Sequence, residues 1–364
     1  MAAAILRILV VEDSALYRQL IRNVLRGLPD VEVVGTAGTG EEALAQVEAL
    51  APDLLTLDVC MPGMDGIAVL RELKKRRCRT RAIMLSSLTG NGAQVTTDAL
   101  LEGAFDFILK PASSDANANR QNLHAALVEK IQAFRQSRSG RLTMHGLSLA
   151  ALAKPPESAA ASAPEADADA PLGRYDVVVI GTSTGGPVAL REVLPHFPDD
   201  FPAPILIVQH MPPQYTHSLA SRLNEASGLE VVEGCDGMTL EPGWAYLAPG
   251  GRHMKVATRA GGPILRITDD PLENGVRPSV DYLFRSVAEV FGGKVVAVIL
   301  TGMGKDGLEG CRQLKRLGAF ILAQHQEGCV VYGMPKAVVE DGLADQVRPL
   351  ERIAASVIRR FHKL

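Results

Sequence analysis

Acidic side chains follow two short apolar runs near the N-terminus. Glu12 and Asp13 come directly after residues 8–11, and Asp58 follows residues 54–57. If these runs are neighbouring strands of a parallel sheet, their carboxyl ends lie at one edge, which is where sites form in such sheets. Clustered carboxylates repel one another and attract a hard cation, for which Mg²⁺ is the natural choice. The pattern therefore predicts a magnesium site.

A hydroxyl and an amine follow two further apolar runs. Ser86 comes after residues 81–85 and Lys110 after residues 106–109. The set suits phosphoryl transfer to a carboxylate, with Asp58 as nucleophile, Mg²⁺ and Lys110 neutralising charge, and Ser86 contacting the phosphoryl oxygens. A single loop acid is more often a solvated turn residue, but five polar groups at the ends of four predicted strands favour a site.

A glycine-rich turn marks a second candidate site. Residues 181–187 read GTSTGGP and follow an apolar run. Such a turn can bind phosphate at a helix N-terminus or present a serine nucleophile beside backbone N–H groups. The phosphate alternative is weak, because the turn lacks GxGxxG spacing and no Gly-Lys-Ser/Thr follows. Ser183 is therefore the candidate nucleophile.

A serine nucleophile needs a base and an acid that orients it, and two pairs of residues could supply them. His210 and Asp306 each follow a predicted strand, so they could meet Ser183 at one sheet edge, with His210 as base. Asp281 and His325 instead satisfy the Ser-Asp-His order of the GxSxG nucleophile elbow, which GTSTG matches. The residue pattern alone leaves both pairs open.

The scaffold that brings these groups together is predicted from the hydrophobic pattern. Apolar runs alternate with helical stretches in the first and last parts of the chain, which indicates parallel sheets covered by helices. An alanine-, proline- and serine-rich stretch between them is typical of a flexible linker. We predict an N-terminal domain over residues 5–133, a linker over 134–172 and a C-terminal domain over 173–362.

The predicted elements are as follows. Strands are expected at residues 6–11, 31–37, 54–57, 81–85, 106–109, 175–180, 205–208, 295–300 and 320–323, with a hairpin at 254–267. Helices are expected at residues 15–28, 41–51, 67–77, 93–102, 122–133, 187–194, 217–225, 280–290 and 308–316.

Composition excludes several classes of protein. The 364 residues are 47% hydrophobic with a net charge of −3, so two folded domains fit and nucleic acid is not expected as a partner. No apolar run reaches the ~18 residues of a membrane span, and the N-terminus has no signal-peptide pattern. We therefore expect a cytoplasmic protein without membrane insertion. Five cysteines without a CxxC pair argue against a disulfide framework or a zinc site.

The N-terminal part, residues 5–133, resembles a two-component receiver domain. The resemblance rests on VVEDS at 10–14, LDVCMPGMDG at 57–66 and FILKP at 107–111. It implies a flavodoxin-like fold, a phosphoaspartate at Asp58 and a histidine kinase as phosphodonor. It also implies a cis peptide bond between Lys110 and Pro111 and Mg²⁺ held by Glu12, Asp13, Asp58 and the carbonyl of Cys60.

Residues 175–357 resemble the catalytic domain of the chemotaxis protein-glutamate methylesterases. The segments that carry the resemblance are IGTSTGG at 180–186, QHMPP at 209–213, YLAPGGRHM at 246–254, RPSVD at 277–281, LTGMGKDG at 300–307 and VVYGMP at 330–335. It implies a doubly wound, mostly parallel α/β (Rossmann-like) serine hydrolase fold with an added β-hairpin.

The same resemblance implies roles for individual residues. Ser183 matches the nucleophile, His210 the base and Asp306 the orienting acid, which decides between the two pairs. Thr184 and the backbone of Met303 match groups that line the site. The implied reaction is hydrolysis of glutamate methyl esters to methanol, and deamidation of glutamines, on the cytoplasmic helical bundle of a methylated chemoreceptor. No cofactor is implied for the esterase.

Two other classes of function are weighed against this one. A DNA-binding response regulator is disfavoured, because no basic helix or helix-turn-helix is recognisable and the C-terminal domain is large. A catalytically inactive adaptor is disfavoured by the intact set of Ser183, His210 and Asp306. A receiver joined by a linker to an esterase can regulate it by covering its site, since tethering raises the local concentration of one domain near the other.

Overall fold

The computed structural model describes residues 5–87, 90–147 and 175–361. Within the first two ranges, five strands alternate with five helices. They are β1 (Leu6–Val11), α1 (Ala15–Arg26), β2 (Val31–Ala37), α2 (Gly40–Leu50), β3 (Leu54–Asp58), α3 (Gly66–Lys75), β4 (Arg81–Ser86), α4 (Gly90–Leu101), β5 (Asp106–Leu109) and α5 (Ala116–Leu147).

The strands of this N-terminal domain form one parallel sheet in the order β2-β1-β3-β4-β5. This is the flavodoxin-like order, as predicted. The central strands are buried on both faces, which is why their sequences are continuous apolar runs. Ser14, Thr39 and Asp65 cap the first three helices, each accepting a hydrogen bond from a backbone N–H in the first turn.

The last helix of this domain is longer than the sequence predicts. α5 continues to Leu147, whereas the pattern predicted an end at residue 133 and a linker from residue 134. Residues 134–147 are therefore helical. The rest of the predicted linker lies outside the described residues, and the domain limits otherwise stay predictions.

A second α/β domain occupies residues 175–361. Its elements are β6 (Val177–Thr182), α6 (Gly186–Val193), β7 (Ile205–Gln209), α7 (Tyr215–Ala226), β8 (Glu230–Glu233), β9 (Trp244–Leu247), β10 (His253–Arg259), β11 (Gly262–Thr268), α8 (Val280–Phe291), β12 (Val295–Ile299), α9 (Leu308–Arg316), β13 (Phe320–Gln324), α10 (Met334–Glu340), β14 (Gln346–Arg348) and α11 (Ile353–Phe361).

Seven of these strands form a parallel sheet in the order β14-β13-β12-β6-β7-β9-β8. The chain runs outward from β6 in one direction to β7 and later returns to place β12 on the other side of β6, so the strand order reverses there. A crevice at the carboxyl ends of strands is expected at such a point. β10 and β11 form the predicted hairpin beside the sheet.

The two domains pack against each other through one face of each. Helix α4 lies against α6 and α7, and buried side chains of both domains belong to a common apolar cluster. Arg222 of α7 makes two hydrogen bonds with Asp98 of α4, at 2.7 and 2.9 Å. In the described part of the chain, no helix has both the length and the apolar character that crossing a membrane requires.

Candidate phosphorylation and hydrolase sites

The carboxyl edge of the N-terminal sheet brings together the predicted acids and amine. One oxygen each from Glu12, Asp13 and Asp58 lies within 4.8 Å of the others. Lys110 Nζ lies 2.7 Å from Asp58 Oδ2 and 2.8 Å from Glu12 Oε2. The N–H of Cys60 donates to Asp58 Oδ1 at 3.2 Å, so the backbone at Cys60 is also at the site.

Burial decides the electrostatics of this edge. Burial raises the pKa of Glu12 to about 7, although Lys110 partly offsets the effect. Burial also raises the pKa of Asp58, again against the opposing effect of Lys110. One lysine thus compensates the buried acids incompletely, and a set of three carboxylates fits a hard divalent cation.

Ser86 lies at the end of β4 as predicted, but its hydrogen bonds were not predicted. Its Oγ accepts a hydrogen bond from Thr96 Oγ1 at 2.6 Å and lies 2.9 Å from the hydroxyl of Tyr215. Tyr215 begins α7 of the other domain and is fully buried. The predicted phosphoryl-contacting hydroxyl therefore touches the C-terminal domain directly.

The resemblance also implied a cis peptide bond at Lys110–Pro111, and this expectation is wrong for the structure. Among the described residues, the cis peptide bond is Arg277–Pro278. The trans form is the more stable isomer of a peptide bond to proline, and Lys110 reaches both acids with it.

The C-terminal sheet places Ser183, His210 and Asp306 at neighbouring strand ends. Ser183 follows β6, His210 follows β7, and Asp306 lies in the turn after β12. The N–H of His210 donates to the carbonyl of Thr182 at 3.1 Å, which sets the two strand ends side by side. His210 Nε2 lies 2.8 Å from Asp306 Oδ2.

This pairing determines which imidazole nitrogen is free to act as the base. Because Nε2 is bonded to Asp306, Nδ1 is the nitrogen left to accept a proton. The nitrogens are therefore exchanged relative to the serine protease template, where Nδ1 faces the acid. Within the described residues, Ser183 Oγ and His210 share no direct hydrogen bond, and such contacts often tighten only with substrate bound.

The carboxylate of Asp306 is surrounded by hydrogen-bond donors. Oδ2 also accepts from the N–H of Val280 at 2.7 Å. Oδ1 accepts from Ser279 Oγ and Asn274 Nδ2, both at 2.8 Å, and from the N–H of Asp281 at 3.2 Å. Two of these donors are the first N–H groups of α8, whose N-terminus favours negative charge.

The donors keep this acid ionised. Burial alone would raise the pKa of Asp306, but the hydrogen bonds from His210, Val280 and Asn274 outweigh burial and lower it to about 2. Asp306 is therefore charged at neutral pH and can orient His210 and stabilise its protonated form.

The turn that carries Ser183 needs its glycines because other groups approach closely. A Cβ on Gly186 would lie 1.9 Å from Gln209 Oε1. Gln209 itself donates to the carbonyls of Ser183 and His210, at 3.0 and 3.1 Å, and so joins the two strand ends. A Cβ on Gly302 would lie 2.8 Å from Cβ of Ser183, which places the turn of Met303 against the serine.

The alternative pair of Asp281 and His325 does not assemble. Asp281 Oδ1 accepts from the N–H of Gly310 at 2.7 Å, and its Oδ2 accepts from Asn274 at 2.8 Å. The ring of His325 instead caps the short turn after β13, accepting from the N–H of Glu327 at 3.3 Å. Asp281 thus belongs to the surroundings of Asp306.

Comparisons with known proteins identify the family. The family model described as CheB methylesterase matches residues 178–357, and the response regulator receiver domain model matches residues 8–121. A protein-glutamate methylesterase/protein-glutamine glutaminase of Desulfotalea psychrophila is 45% identical over 97% of this chain and 98% of its own length. The chain belongs to the CheB methylesterase family.

Two further comparisons agree with this assignment. A Thermotoga maritima protein with the same two activities in its name is 41% identical over 98% of this chain and 99% of its own length. The crystal structure of the Thermotoga maritima CheB methylesterase catalytic domain is 46% identical, with a TM-score of 0.50, and covers 50% of this chain and 97% of its own. The chain is thus a hydrolase of this family with a receiver domain.

The receiver domain contacts the methylesterase domain beside the candidate nucleophile. Thr184, the residue after Ser183, is buried and donates from Oγ1 to Asp106 Oδ2 of the receiver at 2.7 Å. The ring centroids of Phe107 and Tyr215 lie 4.8 Å apart, and Met303 packs against an apolar cluster that contains receiver residues together with Val331. The receiver therefore covers one side of the candidate site.

Several residues of this methylesterase-family site were not found from the sequence. Asn274, Ser279 and Gln209 hold the strand ends and Asp306, and Tyr215 connects the domains. Ser279 had a signal, since serine directly before a predicted helix is a common N-cap. The sequence offered no comparable signal for the contact of Tyr215.

Proposed function

We propose that this protein hydrolyses methyl esters of glutamate side chains, releasing methanol, and deamidates glutamines, on cytoplasmic chemoreceptor helices. The observation that carries the proposal is the hydrogen bond of His210 to a buried, ionised Asp306 beside Ser183. The names of the relatives, which state both activities, support it.

The first half of the reaction is attack by Ser183. Its Oγ forms a bond to the ester carbonyl carbon while His210 Nδ1 takes the hydroxyl proton. The C–O bond to methoxide then breaks, and His210 returns the proton so that methanol leaves. Asp306 stabilises the imidazolium in between, which is the role of the acid in such triads.

The second half hydrolyses the acyl-enzyme. A water molecule loses a proton to His210 and attacks the carbonyl carbon. The bond to Ser183 Oγ then breaks and His210 returns the proton to Oγ, leaving a glutamate carboxyl group and the free serine. We assign stabilisation of the oxyanion to backbone N–H groups at Thr184 and Met303, which lie on turns at the serine. A glutamine follows the same course with ammonia as the leaving group.

We propose that phosphorylation of Asp58 by a chemotaxis-type histidine kinase activates the esterase. Glu12, Asp13, Asp58 and the Cys60 carbonyl would hold Mg²⁺, which neutralises charge on the phosphoryl group when bound. Ser86 would donate to a phosphoryl oxygen and so give up its bond with Tyr215. Loss of one neutral hydrogen bond costs about 0.5–1.5 kcal/mol, and this would weaken the contact between the domains.

The proposal is tested by methanol release from membranes that contain methylated chemoreceptors. The full chain should release methanol, more with a small-molecule phosphodonor and Mg²⁺ than without. Ser183→Ala should abolish release while the protein stays folded. Methanol release by the serine variant at the wild-type rate would refute the nucleophile assignment, and no release by the full chain in either state would favour an inactive adaptor.

A further inference from the structure

The turn between β11 and α8 places one side chain against two buried carboxylates. Asn274 Nδ2 lies 2.8 Å from Asp306 Oδ1 and 2.8 Å from Asp281 Oδ2. Because ionised carboxylates only accept hydrogen bonds, the amide nitrogen of Asn274 is the end that faces them. A single NH₂ group therefore donates one hydrogen to each acid.

The backbone explains the residue types allowed at this position. Glu273 and Val276 exchange backbone hydrogen bonds of 3.2 and 3.0 Å, so Asn274 and Gly275 are the central residues of a tight turn. Their φ angles are 54° and 78°. Such turns with positive φ at both positions favour Asn-Gly, Asp-Gly and Gly-Gly. Of these residues, only asparagine can both form the turn and donate to the acids.

The two acids would repel each other without a shared donor. Both are buried, and burial together with the charge of Asp306 raises the pKa of Asp281 to about 6. The hydrogen bonds of Gly310 and Asn274 oppose this effect on Asp281. The other charged groups around the pair are His210 after β7, Lys305 beside Asp306, Glu273 in the turn, Arg285 on α8 and Arg312 on α9.

We propose that Asn274 is a positioning residue of the hydrolase: by donating to Asp306 and Asp281 at once, it fixes the carboxylate that orients His210. The inference rests on the proposed function, since it assigns a task to Asp306 in the triad. Asn274 does not act on the substrate itself, and its effect is transmitted through Asp306.

The test uses two variants that the turn tolerates. Asn274→Gly removes the amide, and Asn274→Asp keeps the shape but replaces the donor with a third carboxylate. In the full chain, both should lower kcat for methanol release by about ten-fold or more, because small displacements of a catalytic group have effects of this size. KM should change little.

The pH–rate profile separates positioning from a structural role. Without the amide, the negative charge of the two acids is less compensated, so the acid limb of kcat should move to higher pH. Asn274→Asp should move it further than Asn274→Gly. Asp30→Gly, a matched exchange at another positive φ in the receiver (56°), should change neither kcat nor the profile.

The outcomes separate this inference from the proposed function. Wild-type kcat in both folded variants, or a lower kcat with an unmoved acid limb, would overturn the role of Asn274. Ser183→Ala is measured in parallel, with thermal unfolding of every variant. Activity remaining in Ser183→Ala would refute the proposed function itself, whatever the asparagine variants show.

Discussion

The hydrogen bond between Ser86 and Tyr215 offers a direct test of the proposal that the receiver restrains the esterase. Tyr215→Phe removes one buried hydroxyl but keeps the ring against Phe107. Ser86 keeps its bond from Thr96, so the receiver loses only the contacts of this hydroxyl with Ser86 and Thr96. The change therefore weakens the domain contact without removing its apolar part.

The size of the effect follows from one neutral hydrogen bond. Such a bond contributes about 0.5–1.5 kcal/mol, and 1.4 kcal/mol is a factor of ten in an equilibrium constant. If the unphosphorylated chain is mostly closed, Tyr215→Phe should raise the open fraction, and with it basal methanol release, by about 2- to 12-fold. When both chains are fully phosphorylated, methanol release by Tyr215→Phe and by the wild type should differ less.

The assay compares methanol release by full chains and by a fragment starting near residue 172. The same substitution in the fragment should leave its activity unchanged, because the fragment has no receiver. Tyr246→Phe is the matched control: its buried hydroxyl bonds only within the methylesterase domain, to Glu241 and Thr239. Equal basal activity of wild type and Tyr215→Phe would refute the restraint by this bond. A fragment no more active than the unphosphorylated full chain would refute the idea that the receiver covers the esterase site.

Three further predictions concern the two sites. His210→Gln and Asp306→Asn should each lower kcat for methanol release by several orders of magnitude, whereas His325→Gln should change kcat little. A larger effect of His325→Gln than of His210→Gln would instead favour the Ser-Asp-His order of the nucleophile elbow. A radiolabelled acetyl phosphate with Mg²⁺ should label the chain at Asp58, and label persisting in Asp58→Asn would place the acceptor elsewhere. The raised pKa of Asp281 means that its contribution to stability is present below pH 3.8 and is lost as pH rises through about 6. The melting temperature should therefore fall less between pH 4 and 7 for Asp281→Asn than for the wild type. An equal fall in both proteins would contradict the raised pKa of Asp281.

The parts of the fold that the sequence predicts best are those buried on both faces. Strands such as β1, β3 and β12 are continuous apolar runs bounded by polar turns, so their existence and the position of the following acids could be predicted. The short strands β8 and β14 at the sheet edges are only partly buried and have no such run. The end of α5 was missed because residues 134–147 lack a clear apolar period.

The residues of the candidate sites likewise divide into those that local sequence predicts and those that it does not. Residues at strand ends, such as Ser183 and Asp58, could be placed from local sequence, because parallel strands bring their carboxyl ends to one edge. The nitrogen of His210 that faces Asp306, and the contacts of Asn274, depend on how distant turns pack. The bond from Ser86 to Tyr215 depends on the docking of two domains, which local pattern does not encode.

If phosphorylation activates the esterase as we propose, the arrangement of the two sheets offers two routes. Ser86 ends a receiver strand, and its partner Tyr215 begins α7, five residues after His210. A phosphoryl group that takes the Ser86 hydroxyl would therefore loosen the domain contact and also free the start of the helix that follows His210. The two routes differ in what they require: opening acts through exposure of Ser183, whereas movement of α7 acts through the position of His210. If movement of α7 contributes, Tyr215→Phe in the full chain should change the pH dependence of kcat as well as its size, and opening alone should change only its size.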